Sequence, residues 1–281
     1  MRSAGKFHLK IIFSMPKQAI ATSRPAQISR FPGRLVVCAG LKSSGSTWLY
    51  NIVAEILRRG RPPSRRRSTG ILQFYADSVD AFPEKAERAS DIVVKTHIPS
   101  RSLQFLTTFA AGHVLLTVRD PRDAIASVVQ RFGHPFDGAL EEISRGAECM
   151  VRFLRHYNPP VFRYERRFYD DPETVRVVCD LLRVRLPRAE IERIFAAYTR
   201  ENVGRTIRKL QDKGVFGPKA DPDQFDPRSH WHPGHVGDLV IGKYREVLSP
   251  KQQRATIAAM DEFFRTFGYS RKLPQSPRRR R

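Results

Sequence analysis

Gly40-Leu41-Lys42-Ser43-Ser44-Gly45-Ser46-Thr47-Trp48 follows the apolar run Leu35-Val36-Val37-Cys38 and precedes a segment in which Leu49, Ile52, Val53, Ile56 and Leu57 recur at helical spacing. The stretch reads as a buried strand, a tight turn of small residues, then an amphipathic helix. Such a turn leaves the first N–H groups of the helix without intrahelical partners and places the positive end of the helix dipole beside them. It suits an anion, although a serine-rich turn also serves as a plain helix cap. The pattern recurs downstream, where Arg119-Asp120-Pro121-Arg122-Asp123-Ala124-Ile125-Ala126-Ser127 follows Val114-Leu115-Leu116-Thr117-Val118. An arginine at a strand tip suits a second phosphate-like group. Two anion sites on one sheet predict a ligand with phosphate groups at two places.

The remaining elements follow from periodicity. Ile92-Val93-Val94 reads as a strand ending at His97, residues 100–111 as a helix, and Ile125, Val128, Val129 and Phe132 as a helix face. Residues 160–165 read as a further strand, and 174–182, 188–200 and 250–266 as helices. Continuous apolar strands alternating with helices predict an α/β fold, a doubly wound parallel sheet with helices on both faces. Ligands of such sheets lie beyond the carboxyl ends of the strands. Residues 40–48, Lys95 with His97, Arg119 with Ser127, and Tyr164 all fall at those ends.

The first turn is close to the G-x-x-x-x-G-K-[ST] phosphate loop, but Ser46 stands where that loop has its lysine. Hydrolysis of ATP or GTP is therefore disfavoured. The loop resembles instead the P-K-S-G-T-T-W turn of sulfotransferases that use 3′-phosphoadenosine 5′-phosphosulfate (PAPS). Arg119 to Ser127 resembles their R-[ND]-P-[RK]-D-x-x-x-S, and Lys95-Thr96-His97-Ile98-Pro99 their K-T-H-[LI]-P. The resemblance runs from about Arg34 to Tyr269 and implies a P-loop-like fold. It implies that Lys42, Ser43, Ser44, Gly45, Ser46, Thr47 and Trp48 receive the phosphosulfate. Arg119 and Ser127 would hold the 3′-phosphate, and His97 would be the catalytic base. Aligned on Gly45-Ser46-Thr47-Trp48, the family's loop lysine falls on Ser43, so Lys42 or Lys95 is left to serve the leaving group. Tyr164, in a stretch similar to the family's Y-E-D, is implied near the adenine, and Thr199 loosely so. Residues 235–245 resemble the segment that closes over the 3′-phosphate, without its arginine–lysine pair. Lys243 and Arg245 are the substitutes. Trp48 also offers a ring on which a base can stack.

The implied reaction is transfer of a sulfuryl group from PAPS to the hydroxyl, or amine, of a small-molecule acceptor, with no metal. Two other classes bear on the same sequence: a P-loop-like small-molecule kinase, and a nucleic-acid-binding protein driven by charge. The net charge is +22, of which residues 1–33, 58–67 and 271–281 carry +18 and no acid. The organisation expected is a flexible basic leader (1–33), a sulfotransferase domain (34–270) and a basic tail (271–281). The leader is explained equally by a targeting segment and by an upstream start codon. No stable nucleic-acid complex is expected, since the body carries no recognisable nucleic-acid module. No apolar run is long enough to span a bilayer. Cys38, Cys149 and Cys179 lie in apolar surroundings and suit a reducing, cytoplasmic location. His230, His232 and His235 with Asp226 lack metal-ligand spacing and read as loop or substrate-facing histidines. Segments 58–90 and 200–235 are the expected pocket walls. The sequence leaves the acceptor and the oligomeric state open.

Overall fold

The computed structural model describes residues 34–61, 70–84, 86, 89, 91–216 and 224–273. The expected leader, most of the tail and most of the basic loop at 58–67 lie outside the described residues. Five strands, β1 (Arg34–Gly40), β2 (Ile71–Tyr75), β3 (Asp91–Thr96), β4 (Ala111–Val118) and β5 (Val161–Arg163), form one parallel sheet in the order β2-β3-β1-β4-β5. β1 is central, with Val37 beside Val94 on one flank and Val114 on the other. A central parallel strand is covered on both faces, so its side chains are apolar on both. Leu35, Val37 and Ala39 enter one core, Val36 and Cys38 the other.

The first core is closed by α2 (Arg101–Ala110), α3 (Pro121–Phe132), α4 (Phe136–Tyr157), α9 (Pro250–Ala259) and α10 (Asp261–Phe267). The second is closed by α1 (Ser46–Arg59), α5 (Pro172–Leu181), α6 (Arg188–Ala197) and α7 (Arg200–Asp212). A short α8 (Tyr244–Val247) leads into α9. Helix starts are set locally. Asp120 caps α3, Asp171 caps α5 and Ser249 builds a capping box on α9, each with proline in the first turn.

Four elements go beyond the sequence reading: the edge strand β2, the helices α4 and α7, and the short α8. The strand expected at 160–165 is also shorter, because Tyr164–Arg166 turn into a 3₁₀ helix. The helix expected over 250–266 breaks at Met260 into α9 and α10. Docking on the core continues past residue 270. The buried Arg122 guanidinium bonds Asp120, stacks on Tyr244 at 4.3 Å and donates to the carbonyls of Ser270 and Lys272. Among the described residues no helix is long and apolar enough to cross a membrane. Cys38, Cys149 and Cys179 are free and buried.

Candidate active site

The carboxyl ends of β1, β3, β4 and β5 open on one cavity of about 360 Å³. Its floor is the turn after β1. Gly40 is required there, because a Cβ at this position would lie 2.1 Å from Thr117 Oγ1. The chain then passes through left-handed backbone at Ser43 (φ 65°) and Gly45 (φ 82°). Gly45 is the N-cap of α1 and supplies no side-chain cap, so among the described residues no side chain caps the first N–H groups of α1, which start at the cavity. Ser43, Gly45, Ser46, Thr47 and Trp48 line the cavity. Ser44 does not, which corrects the sequence expectation. Its N–H bonds Leu41 O at 3.1 Å, and its fully buried hydroxyl reaches Leu41 O and Thr117. Ser44 braces the turn to β4 and leaves no donor for a ligand. Trp48 is held by its Nε1–H, which donates to Tyr198 O at 2.9 Å.

The second anion holder is built on β4 and α3. Arg119 is 2 % exposed. It donates to Ser127 Oγ at 3.0 Å, Ser43 O at 3.2 Å and Val240 O at 2.9 Å, and lies 4.1 Å from the Tyr164 ring centroid. Its Nε is buried without a hydrogen-bond partner, an available donor in a desolvated place. Asp123, one turn into α3, accepts from the N–H groups of Gly242 and Tyr244 at 2.6 and 3.0 Å and ties the 238–244 strap to this holder. Lys243 enters the cavity wall, with Nζ bonded to Asp238 and Gln130. Arg245 is a second correction. It is exposed, lies outside the cavity and stacks on Tyr244, with its guanidinium packed beside Gly242. Thr199 caps α7 by accepting from Asn202 N and is not among the lining residues.

Lys95 and His97 meet at the end of β3, with Nζ 2.8 Å from His97 Nε2. His97 Nδ1 lies 2.6 Å from Gly40 O. A carbonyl can only accept, so Nδ1 carries the hydrogen and Nε2 holds the lone pair. Burial, followed by the Lys95 charge, pushes His97 down to about 3, so its imidazole is neutral. Burial also lowers Lys95 to about 7, against an opposing pull from Asp77. Lys42 Nζ is bonded to Glu142 of α4 at 2.7 Å, at the cavity edge.

Asp77 was invisible in the sequence. It follows β2 and accepts from Thr96 Oγ1, His97 N and Ile98 N on one oxygen and from Tyr75 OH on the other. Burial alone would raise its pKa, but these hydrogen bonds outweigh it and hold the carboxyl below its ordinary range. Asp77 thereby fixes the turn that carries His97. The only sequence signal is a carboxylate two residues after the last residue of a short apolar run. The 225–239 segment forms the opposite wall. Tyr50 OH and Asn51 Nδ2 of α1 anchor it through the carbonyls of Arg228 and Ser229. His230 stacks on Phe225 at 4.6 Å, and burial lowers His230 and His232 to about 3. Asp226 turns away to bond Ser229. No group of metal-ligand side chains occurs among the described residues. Of the expected walls, Phe225, His230, Trp231, His232 and His235 line the cavity, as do Tyr75, Arg200 and Val203.

Known structures share this fold. Retinol dehydratase in complex with androsterone and inactive cofactor PAP aligns at 16% identity, over 85% of this chain and 84% of that one, with a TM-score of 0.53. A second structure of retinol dehydratase, with retinol and PAP, aligns at 17% identity over the same shares, with a TM-score of 0.52. Mouse sulfotransferase SULT7A1 complexed with PAP aligns at 13% identity over 89% and 90%, with a TM-score of 0.58. At these identities the likeness is one of fold. No curated protein sequence matches this chain. The family model of the sulfotransferase domain matches residues 34–203, more than half of the sequence. By that match, the chain belongs to the sulfotransferase domain family.

Proposed function

We propose that this sulfotransferase moves the sulfuryl group of PAPS to a hydroxyl of a small organic acceptor, with His97 as base and Lys95 as the principal cation at the transferred group. The observation that carries the reading is the convergence of two anion holders and a lysine–histidine pair on one cavity. The N–H groups at the start of α1 would receive the phosphosulfate. Arg119, with its unpartnered Nε, and Ser127 would hold the 3′-phosphate. Trp48 and Tyr164 offer ring faces to the adenine, and Lys243 closes the strap side. Tyr75, Phe132, Phe225 and Trp231 give the acceptor an apolar lining. Retinol and androsterone in the related structures are small molecules of that kind. The buried free cysteines fit a cytoplasmic location.

The chemistry asked of the side chains is modest. Sulfuryl transfer, like phosphoryl transfer, keeps its charge on peripheral oxygens, so positioning and charge stabilisation dominate. His97 is neutral and its Nε2 lone pair is available once Lys95 turns from it to the sulfuryl oxygens. Gly40 O holds the tautomer throughout, and accepts a proton-bearing Nδ1 in both protonation states. Lys42 is one residue early for the loop role and is engaged by Glu142, so we assign the leaving group chiefly to Lys95.

The reading is tested by calorimetry. Adenosine 3′,5′-bisphosphate (PAP) is expected to bind at least about tenfold more tightly than 5′-AMP without added metal, the scale of one charge-assisted contact. Equal affinities would remove the 3′-phosphate holder. The pH profile gives a second check. Lys95 helps only when protonated, and burial brings it to about 7. Asp77 opposes that shift, and Lys42 reinforces it. kcat/KM for PAPS, which reports the free enzyme, is therefore expected to fall as pH rises through about 7. The alkaline limb of kcat should lie at higher pH, because a bound phosphosulfate favours the cation. A flat profile up to the ordinary lysine range would take Lys95 out of the role.

A further inference from the structure

The transfer reaction leaves Arg131 of the cavity unexplained. Arg131 lies one helical turn beyond Ser127 on α3, on the same face, and lines the cavity. Burial lowers its pKa, and Arg119 lowers it further. Arg131 is half-buried, and a guanidinium partly removed from water is costly without a paired counter-charge. Among the described residues Arg131 makes no ion pair: the carboxylate of Asp238, which acts on it, is bonded to Lys243. Its one hydrogen bond among them is to Gly234 O, and its Nε is buried without a partner there.

Two imidazoles share the predicament. His232 and His235 stand with ring centroids 4.4 Å apart, and each has a buried Nδ1 with no hydrogen-bond partner among the described residues. Phe132 joins Arg131 and His232, with the Arg131 guanidinium 5.4 Å and the His232 ring 5.5 Å from its own centroid. The cavity thus holds a guanidinium with a free Nε and two imidazole nitrogens without partners, around an aromatic ring. Their place favours the acceptor over the donor. Lys42 lies over the same Phe132 ring at 5.2 Å, and the charges of Lys42 and Lys95 act on His232. Those lysines mark the reacting end, whereas the 3′-phosphate holder already has Arg119.

We propose that Arg131, assisted by His232 and His235, binds an acidic group on the acceptor, so that the substrate class is a hydroxylated molecule with an apolar body and a carboxylate or similar oxyanion. This rests on the sulfuryl-transfer reading, which supplies the hydroxyl and the donor. It makes the acceptor site selective through charge, since a neutral analogue leaves the guanidinium unpaired.

The probes are 4-hydroxyphenylacetate and its neutral amide, titrated into the enzyme–PAP complex by calorimetry. The unaltered protein is expected to bind the carboxylate about tenfold or more tightly than the amide, the scale of a charge-assisted pair. Arg131→Gln is expected to bring the two within about twofold, with PAP affinity unchanged; Arg131→Lys, which keeps the charge, should retain part of the preference. PAP binding in each variant reports that the fold is intact. No carboxylate preference in the unaltered protein would overturn the inference while leaving PAPS use standing. A loss of PAP affinity in Arg131→Gln, with the preference unchanged, would also overturn it and return the guanidinium to the donor. Failure of the unaltered protein to bind PAP would instead overturn the donor reading beneath it.

Discussion

His97→Ala is expected to leave PAP affinity within about twofold and to slow sulfuryl transfer by about a hundredfold or more, the usual share of a general base. The imidazole is set up for this by contacts independent of the donor. Gly40 O fixes the tautomer at 2.6 Å, and Asp77 fixes the backbone by accepting from His97 N at 3.0 Å. The lone pair on Nε2 is then the only basic position. With its pKa lowered to about 3, His97 is a weak base in the resting protein. It gains basicity when Lys95 gives its charge to the sulfuryl oxygens, because Lys95 is the largest charge acting on it. The loss in His97→Ala should therefore be smaller for an acceptor with an acidic phenol than for an alkyl alcohol. Rate measurements on such a pair of acceptors check this. Near-normal turnover of the alkyl alcohol would end the base assignment. His97→Gln is an informative companion, since its amide can reproduce the hydrogen bond to Gly40 O but not the proton transfer.

The sequence made this region legible through three short motifs, each at the end of a strand whose residues are apolar on both faces. Leu35–Cys38, Ile92–Val94 and Val114–Val118 announce themselves because a doubly covered parallel strand has no polar side. Three of the elements that escaped did so for local reasons. β2 is a short edge strand with Gln73 in its middle, a polar side chain that is buried by bonding Asn51 Oδ1. The first part of α4 buries only a narrow stripe, Ile143 and the small residues Ala139, Gly146 and Ala147. Gly146 packs closely there, its Cβ position 3.4 Å from Leu41 and 3.6 Å from His97 O. α7 shows its apolar face through only Val203, Ile207 and the half-buried Leu210. The site was read less completely than the fold. A motif names residues near one another in the chain, whereas Glu142 reaches the cavity from α4, Arg131 from the last turn of α3 beyond the motif, and Asp77 acts from the segment after β2 by holding the His97 turn. Ser44 and Arg245 show the opposite error: each occupies a motif-like position, but one points into the sheet and the other out to solvent.

Arg119→Ala is expected to weaken PAP binding by about 1.5–3 kcal/mol, the range for hydrogen bonds to a charged group, or roughly ten- to more than a hundredfold. Binding of 5′-AMP should change little, because it lacks the group that Arg119 is placed to hold. The guanidinium is already oriented by Ser127 Oγ, Ser43 O and Val240 O and backed by the Tyr164 ring at 4.1 Å. Little side-chain entropy remains to be lost on binding, so the interaction is strong for a single residue. Asp123, 3.6 Å away, balances the charge in the free protein without occupying Nε. Removing the arginine also releases Val240 and loosens the strap that Asp123 holds from the other side through Gly242 and Tyr244. Arg119→Lys separates the two effects. It restores charge without the planar fork, so it should recover part of the affinity for PAP and little of the hold on Val240. Calorimetry with PAP and 5′-AMP on both variants decides between them. Equal losses for the two nucleotides would mean that Arg119 supports the cavity as a whole and does not read the 3′-phosphate.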